Sequence, residues 1–115
     1  MLDKILEITN PMLLGVGFIF MLMGIIMFKF PPKSINSLYG YRTASSMQSQ
    51  AKWDFAQKYS AKIMAFIGFG MLIISFTRTL LPFDNDQTAI FGVAILLLSV
   101  IILLIIVEKK LKKIS

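Results

Sequence analysis

The side chains best suited to binding are concentrated in one polar stretch, FPPKSINSLYGYRTASSM, at residues 30–47. Arg42 carries a planar guanidinium that can donate to backbone carbonyls, a carboxylate or a phosphate in a fixed geometry. We expect the tyrosines beside it to hold that group in place, and the alternative is simple contact with lipid phosphate. Gly40, between two tyrosines, predicts a backbone turn that a side chain would block.

No set of side chains suited to catalysis accompanies this stretch. The chain has no cysteine and no histidine, which excludes disulfides, thiol chemistry and metal sites built on thiolate or imidazole ligands. Residues 84–86 (Asp-Asn-Asp) suggest a calcium loop, but Ala89 and Ile95 stand where an EF-hand needs glycine and glutamate. We therefore expect no cofactor, no metal and no enzyme activity, and we interpret residues 84–86 as a turn and helix cap.

The rest of the chain is apolar enough for a membrane protein. Hydrophobic residues make up 57% of the 115 residues, against roughly 45–50% in soluble domains. Charged residues are absent from residues 10–28, 63–77 and 87–107. A membrane-spanning helix needs about 20 mainly apolar residues, so the first and third runs are long enough. The second becomes long enough if it continues to Leu81 and Arg78 reaches the headgroups.

We therefore predict an all-α integral membrane protein with one domain of three transmembrane helices. The spans are expected near residues 10–28, 63–81 and 87–107. A loop and an amphipathic helix are expected over residues 29–62, and a basic tail over residues 108–115.

The first apolar run is expected to remain as a permanent helix. Asp3 and Glu7 precede it, it exceeds the apolar region of a signal peptide, and no small-x-small cleavage site follows it. Asn10 can cap this helix and Pro11 suits its first turn. We expect residues 1–9 to lie along the membrane interface.

The connection between the first two spans is expected to combine a loop with a helix. Pro31 and Pro32 end the first helix, because proline lacks the N–H group and restricts the residue before it. Helix is expected to resume near Ser45 or Ser46, either of which can cap it. No helix breaker separates this helix from the second span, so we expect it to lead into that span. Its aromatic residues are interpreted as lying in the headgroup zone, in particular Trp53 and Tyr59.

The positions of the basic residues predict an orientation. Of the 12 lysines and arginines, only Lys4 and Arg78 lie outside residues 29–62 and the tail. The positive-inside rule therefore places residues 29–62 and the tail in the cytoplasm and the N-terminus outside. The net charge of +6 is on this interpretation a topology signal, and no nucleic-acid partner is expected.

Small residues are expected to shape the contacts between the spans. In lipid, small residues let helices approach closely, and a glycine-lined face could also accept an apolar peptide helix. The uncharged runs contain no ionisable group, which disfavours a proton-coupled carrier or pump. The glycines concerned are Gly15, Gly17, Gly24, Gly68, Gly70 and Gly92.

The polar stretch resembles the signature of the SdpI family, which consists of bacterial membrane proteins named for immunity to a sporulation-delaying peptide toxin. The present chain is similar to the compact form of the family, which holds only the signature domain. Larger members carry additional transmembrane helices before it. The resemblance is carried by Pro31-Pro32-Lys33, Ile35-Asn36, Tyr39-Gly40-Tyr41-Arg42-Thr43, Ser46-Met47, and Trp53 with Ala56.

The resemblance implies a non-enzymatic, multi-pass protein of the bacterial inner membrane that gives immunity against a membrane-active peptide. The alternative is a scaffold or signalling protein whose cytoplasmic loop binds a soluble partner such as a repressor. A small transporter subunit is a weaker third hypothesis. The expected partners are the lipid bilayer, a peptide toxin, a cytoplasmic regulator and a second copy of the chain.

Overall fold

The computed structural model of the protein describes residues 1–114, and these residues form helices and connecting segments without a β-strand. The helices are α1 (Leu2–Ile8), α2 (Pro11–Lys29), α3 (Gln50–Ser75) and α4 (Asn85–Leu111), with a short 3-10 helix at Arg78–Leu80. The predicted all-α fold is confirmed. Ser115, the last residue of the predicted basic tail, lies outside the described residues.

Three of the helices, α2, α3 and α4, are long and apolar enough to cross a membrane. They contain 19, 26 and 27 residues, which correspond to lengths of about 28, 39 and 40 Å. A bilayer core is about 30 Å thick, so α3 and α4 extend beyond it. The chain is a multi-pass membrane protein, as the apolar runs predict.

The bundle has two ends, which differ in composition. The first, which we call the loop end, contains the connection between α2 and α3, the start of α3 and the end of α4. The second, which we call the N-terminal end, contains α1, the 3-10 helix and the start of α4. Gly24 of α2 packs beside Ala61 and Ala65 of α3, so Lys29, the last residue of α2, is level with about Lys58. Helix α3 starts eight residues before Lys58. Its first two turns therefore project past α2 and provide a platform for the connecting segment.

The closest packing in the bundle joins α2 to α3, and glycine makes it possible. A Cβ atom on Gly24 would lie 2.6 Å from the backbone nitrogen of Ala65, and one on Gly17 would lie 2.9 Å from the carbonyl oxygen of Gly68. These glycines are in close helix contact as predicted. The prediction is wrong for Gly15 and Gly70, where an added Cβ would meet nothing within 4 Å.

Helix α4 is held mainly at its two ends. Its buried residues are Thr88 and Gly92 near the start and Val107 and Leu111 near the end. Between them most side chains are exposed on the protein surface, as for Leu97 and Ile101. A long exposed apolar surface of this kind suits contact with lipid, because lipid tails are as apolar as the side chains.

The predicted caps at two helix starts are confirmed. The Asn10 side chain accepts from the Leu13 N–H, and Pro11 occupies the first turn of α2. Asp84 accepts from the Gln87 N–H, and the Gln87 side chain in turn accepts from the Asp84 N–H, which forms a capping box. Residues 84–86 therefore form the start of α4, as expected for a turn and cap.

The predicted cap of α3 is wrong. Helix α3 starts at Gln50, and its cap is Ser49, whose hydroxyl accepts from the Lys52 N–H. Ser46 is fully buried and bonds within the connecting segment instead, as described below. The sequence offered serines at neighbouring positions, and tertiary contacts decided which of them caps the helix.

The end of α3 and the role of Arg78 also differ from expectation. Helix α3 ends at Ser75 and does not continue to Leu81. Arg78 donates from Nη1 to the carbonyl oxygens of Leu6 and Thr9, each at 3.0 Å, and from Nη2 to Asn85 Oδ1 at 2.7 Å. Its guanidinium thus joins α1 to the start of α4, because three internal acceptors replace the headgroups as its partners.

Candidate functional site

The candidate site is the connection between α2 and α3, and we call residues 31–47 the signature loop. The loop has no regular helix or strand. It folds back over the start of α3 and reaches the end of α4. Within the described part of the chain, every buried side-chain nitrogen or oxygen atom has a hydrogen-bond partner. The loop is therefore an ordered element, built from specific contacts.

Gln57 of α3 holds the centre of the loop. Its Oε1 accepts from the Tyr41 N–H at 2.7 Å, and its Nε2 donates to the Tyr41 carbonyl at 2.8 Å. The side chain is fully buried. One carboxamide therefore satisfies both backbone groups of one loop residue, as a neighbouring strand would.

Gln57 was not among the residues predicted from the sequence, although a signal was present. Gln57 lies beside Trp53, Ala56, Ser60 and Ala61 on the buried face of α3. A buried amide needs hydrogen-bond partners, and a glutamine on a face of mostly apolar and small residues indicates that a polar element covers it. The pattern could have identified the contact, but could not have identified Tyr41 as its partner.

Gly40 is required at its position for two reasons. Its φ is 106°, in the left-handed region that side chains rarely adopt. A Cβ atom there would collide with Gln57 Oε1 and would lie 2.7 Å from Pro32 Cγ. The predicted turn is confirmed, and glycine also lets the loop approach the Gln57 carboxamide.

Trp53 anchors the start of the loop. Its Nε1 donates to the Pro32 carbonyl at 2.8 Å, and both residues are buried. Trp53 does not offer its indole N–H to lipid headgroups, because the side chain is fully buried and the N–H has a partner inside the protein. Tyr59 is only partly buried and stacks on Phe55 with ring centroids 5.1 Å apart.

Asn36 and Tyr39 order the first half of the loop. Asn36 Oδ1 accepts from the N–H groups of Leu38 and Tyr39 at 2.9 and 2.7 Å, and its Nδ2 donates to the Ser34 carbonyl. This is the local turn that asparagine favours. The Tyr39 hydroxyl donates to the Phe30 carbonyl at 2.9 Å and ties the turn to the end of α2.

Arg42 lies on the exposed side of the loop. Its Nη1 donates to the Ser37 carbonyl, so a backbone carbonyl is one of its acceptors, in line with the first of the three expected partners. The side chain itself is exposed. It therefore closes the loop on itself while its guanidinium stays accessible to an external group.

Glu108, in the last turn of α4, joins the loop to that helix. Its Oε2 accepts from the Tyr41 hydroxyl at 2.8 Å and from the Thr43 hydroxyl at 3.0 Å. Glu108 was predicted only as the first residue of the basic tail, with no role of its own. The signal was an acid in the last turn of a helix, where the helix dipole disfavours negative charge.

Burial raises the pKa of the Tyr41 phenol well above its ordinary value, and the hydrogen bond to Glu108 and the charge of Glu108 raise this pKa further. The phenol stays protonated near neutral pH and so remains a donor to the carboxylate. Of the two hydrogen bonds from the loop to Glu108, the one from Tyr41 therefore depends on the phenol proton.

Ser46 completes the second half of the loop. Its Oγ accepts from the Thr43 N–H at 2.9 Å and lies 3.1 Å from the Tyr41 carbonyl, to which it can donate. The Thr43 hydroxyl also accepts from the Ser46 N–H at 3.2 Å. These reciprocal bonds fix Thr43 where it can reach Glu108.

Some residues of the predicted signature do not join this network through their side chains. Lys33 is exposed, and only its carbonyl takes part, as an acceptor for Gln50 Nε2 at 2.6 Å. Met47 is 40% exposed. Pro31 is partly buried at the end of α2.

A small cavity lies beneath the loop. It has a volume of ≈ 220 Å³ and is bordered by Gly40 and Tyr41 of the loop. Most of its remaining wall is apolar and comes from all three spans: Met23 and Met27 of α2, Met64 of α3 and Leu103 of α4. Methionine side chains are flexible and polarisable, so this wall can adapt to apolar groups of different shape.

Comparison with known proteins identifies the family. Residues 33–108 match the model of the SdpI/YfhL protein family. The chain belongs to this family. It is also 38% identical over 96 residues to the uncharacterized protein YfhL of Bacillus subtilis (strain 168), covering 84% of this chain and 82% of YfhL. No solved structure matches the chain.

The predicted SdpI-family resemblance is confirmed. The family match starts at Lys33, just after Pro31 and Pro32, and ends at Glu108. It therefore contains Trp53, Gln57 and Glu108, which lie outside the signature loop and hold it in place.

Proposed function

We propose that this SdpI/YfhL-family protein protects a bacterial cytoplasmic membrane against a membrane-active peptide, and that it does so without chemical turnover. Membership of the family supports the immunity hypothesis, because the family takes its name from immunity to a peptide toxin. The observation that carries the proposal is the ordered signature loop above an apolar cavity that α2, α3 and α4 share. This arrangement suits binding.

Binding is favoured over catalysis by the way the polar groups of the loop are used. The Tyr41, Thr43 and Ser46 hydroxyls bond to Glu108 or to neighbouring backbone groups. Gln57 is occupied by the Tyr41 backbone. Groups engaged in this way position the loop, and a nucleophile with its base is a different arrangement.

The proposed binding surface is the methionine-lined cavity together with the exposed middle of α4. An apolar side chain of the peptide would enter between Met27, Met64 and Leu103 and meet the underside of the loop. The glycine faces expected to accept a peptide helix are not available at Gly17 and Gly24, because α2 and α3 bury them against each other. In this proposal the peptide binds beside α4, because Leu103 of α4 forms part of the cavity wall.

The proposed orientation places the loop end in the cytoplasm of a bacterial inner membrane. The positive-inside rule supports this, because the basic residues other than Lys4 and Arg78 lie in residues 29–62 and the tail. The cavity beneath the loop would then meet a peptide that has already crossed most of the membrane.

The test is a challenge of a peptide-sensitive bacterial host that expresses the full chain. Membrane-active peptides from the source organism and its neighbours are applied, and survival is compared with that of a host carrying an empty vector. We expect resistance to at least one peptide. Sensitivity to every peptide in the panel, with the chain present in the membrane, would rule out the proposed immunity.

A second candidate function is a scaffold or signalling role in which the loop binds a soluble regulator such as a repressor. Exposed apolar residues on the loop and just before it favour this role, since Leu38 is 90% exposed and Phe30, at the end of α2, is 71% exposed. A Leu38→Ser variant separates the two functions. It should leave peptide protection intact under the immunity proposal and abolish regulator binding under the signalling one.

A further inference from the structure

A second concave surface lies on the bundle, away from the signature loop. It is a groove of ≈ 390 Å³ between α2 and α3. Its floor consists of small residues, Gly24, Ala61 and Ala65, which is why the groove can form where the helices approach closely. Phenylalanine side chains form its walls, and Phe66 is 65% exposed. The groove does not share a residue with the cavity under the loop.

Two cations, Lys29 and Lys62, line the half of the groove nearer the signature loop, and both side chains are exposed. No acidic residue lines the groove within the described part of the chain. The rest of its lining is apolar, from Met21 at one end to Phe28 at the other. A positive rim above an apolar channel is complementary to a molecule with an anionic head and a hydrocarbon tail.

The two lysines differ in depth, and their reach compensates for the difference. A Cβ on Gly24 would lie 2.7 Å from the Ala61 carbonyl, so Lys62 is level with residues next to Gly24. Lys29 lies about one helical turn further toward the loop end, roughly 6 Å away along the axis. The stem of a lysine side chain is about as long as this separation, so the Lys62 ammonium can reach the level of Lys29.

We propose that this groove binds one anionic phospholipid of the surrounding bilayer, with its phosphate between Lys29 and Lys62 and one acyl chain along the floor. From Lys29 to Met21 the groove extends roughly 12 Å along α2, enough for the upper half of an acyl chain. The proposal does not depend on the immunity function.

The same observations disfavour a second copy of the chain as the occupant. A twofold dimer through this groove would bring Lys29 and Lys62 of both copies to one seam. The lining supplies no carboxylate to offset that charge. An anionic lipid offsets it directly.

The test is native mass spectrometry of the purified full-length protein, titrated with dioleoyl phosphatidylglycerol or dioleoyl phosphatidylcholine. The wild type should bind phosphatidylglycerol more tightly than phosphatidylcholine. The variant Lys29→Gln with Lys62→Gln should lose roughly fivefold in phosphatidylglycerol affinity for each lysine removed. The matched control, Lys109→Gln with Lys110→Gln, removes the same charge from the end of α4 and should keep wild-type affinity. Size-exclusion profiles and helix content confirm that the variants fold.

Competition with soluble glycerol phosphate shows whether the groove binds a whole lipid or only a free phosphate group. Glycerol phosphate should not displace the bound lipid. The proposal is overturned if the Lys29 and Lys62 variant binds phosphatidylglycerol as tightly as the wild type, or if the control loses as much affinity. Equal affinity of the wild type for phosphatidylglycerol and phosphatidylcholine would also overturn it, as would displacement of the bound lipid by glycerol phosphate. A dimer that forms without lipid, and that the Lys29 and Lys62 substitutions strengthen, would overturn it in favour of a second copy of the chain.

Discussion

The carboxamide of Gln57 pairs with the backbone of Tyr41 through both of its polar atoms, at 2.7 Å to the N–H nitrogen and 2.8 Å to the carbonyl oxygen. These residues are separated by 16 positions in the sequence. The pair fixes the centre of the signature loop on α3, and Tyr41 then extends to Glu108 on α4.

Removing the Gln57 carboxamide should release the loop. Gln57→Ala leaves the Tyr41 N–H and carbonyl without their partner, at a cost of about 1–3 kcal/mol for each buried group left unpaired. The chain has a single tryptophan, and Trp53 is fully buried against Pro32, so its fluorescence reports loop docking. We expect a red-shifted emission maximum for Gln57→Ala.

Gln48→Ala is the matched control for Gln57→Ala, because the Gln48 side chain is exposed and bonds only to Lys52 Nζ among the described contacts. It should leave the emission maximum unchanged. An unshifted maximum in Gln57→Ala would show that the pair with Tyr41 does not hold the loop.

A side chain at Gly40 should have a similar effect through the backbone. Gly40→Ala forces a left-handed conformation on alanine, costs about 1–2 kcal/mol in strain, and adds a collision with Gln57. We expect faster proteolysis within residues 31–47 of the purified protein. Gly15→Ala is the control, because an added Cβ there meets nothing within 4 Å. Equal cleavage of the two variants would contradict the structural role of Gly40.

The loop should detach from α4 at high pH. The pKa of Tyr41 is raised in the folded state by burial and by Glu108, whereas an exposed tyrosine has a pKa of about 10. The folded state therefore retains a proton that the undocked state loses, so docking weakens as the pH rises above about 10. The measurement is the wavelength of the Trp53 emission maximum between pH 8 and pH 12.

Two phenylalanine variants assign that pH effect. Tyr41→Phe removes the titrating group and should flatten the dependence, at the cost of weaker docking at neutral pH. Tyr59→Phe should keep the wild-type curve, because Tyr59 stacks on Phe55 outside the Glu108 contact. If Tyr41→Phe keeps the full dependence, another group causes it.

The proposed topology can be tested with cysteines, since the chain contains none. Leu38→Cys and Leu80→Cys change residues that are 90% and 80% exposed, on the loop end and the N-terminal end. A membrane-impermeant thiol reagent on intact cells should label position 80 and spare position 38. Labelling of position 38 alone would reverse the orientation.

The sequence predicts the fold well where the signal is local. Uncharged apolar runs predicted the three membrane-spanning helices, and Asn10 and Asp84 were recognisable caps because their partners lie three residues away. The turn at Gly40 was predictable because it depends on the backbone conformation of one residue, which the residue type indicates. The role of Arg78 at the end of α3 was not, because Arg78 donates to the Leu6 carbonyl of α1, 72 positions away in sequence.

The candidate site is only half predictable in this way. The residues of the signature loop and Trp53 were identified from their types, but Gln57 and Glu108, which also hold the loop, were not. Glu108 is 67 positions from Tyr41, and no local pattern links them. Their signals were a polar residue on an apolar face and an acid at a helix C-terminus, and each indicates that a partner exists without identifying it.

The proposed protection is tested most directly by the peptide concentration that halves the growth of a sensitive host, measured at equal membrane levels of each variant. We predict that the wild-type chain and Gly15→Ala raise this concentration over the empty vector, whereas Gly40→Ala gives little or no increase. The same concentration for all four strains, across the peptides tested, would contradict the proposed protection. Protection by Gly40→Ala equal to that by the wild type would show that the ordered loop is not what provides it.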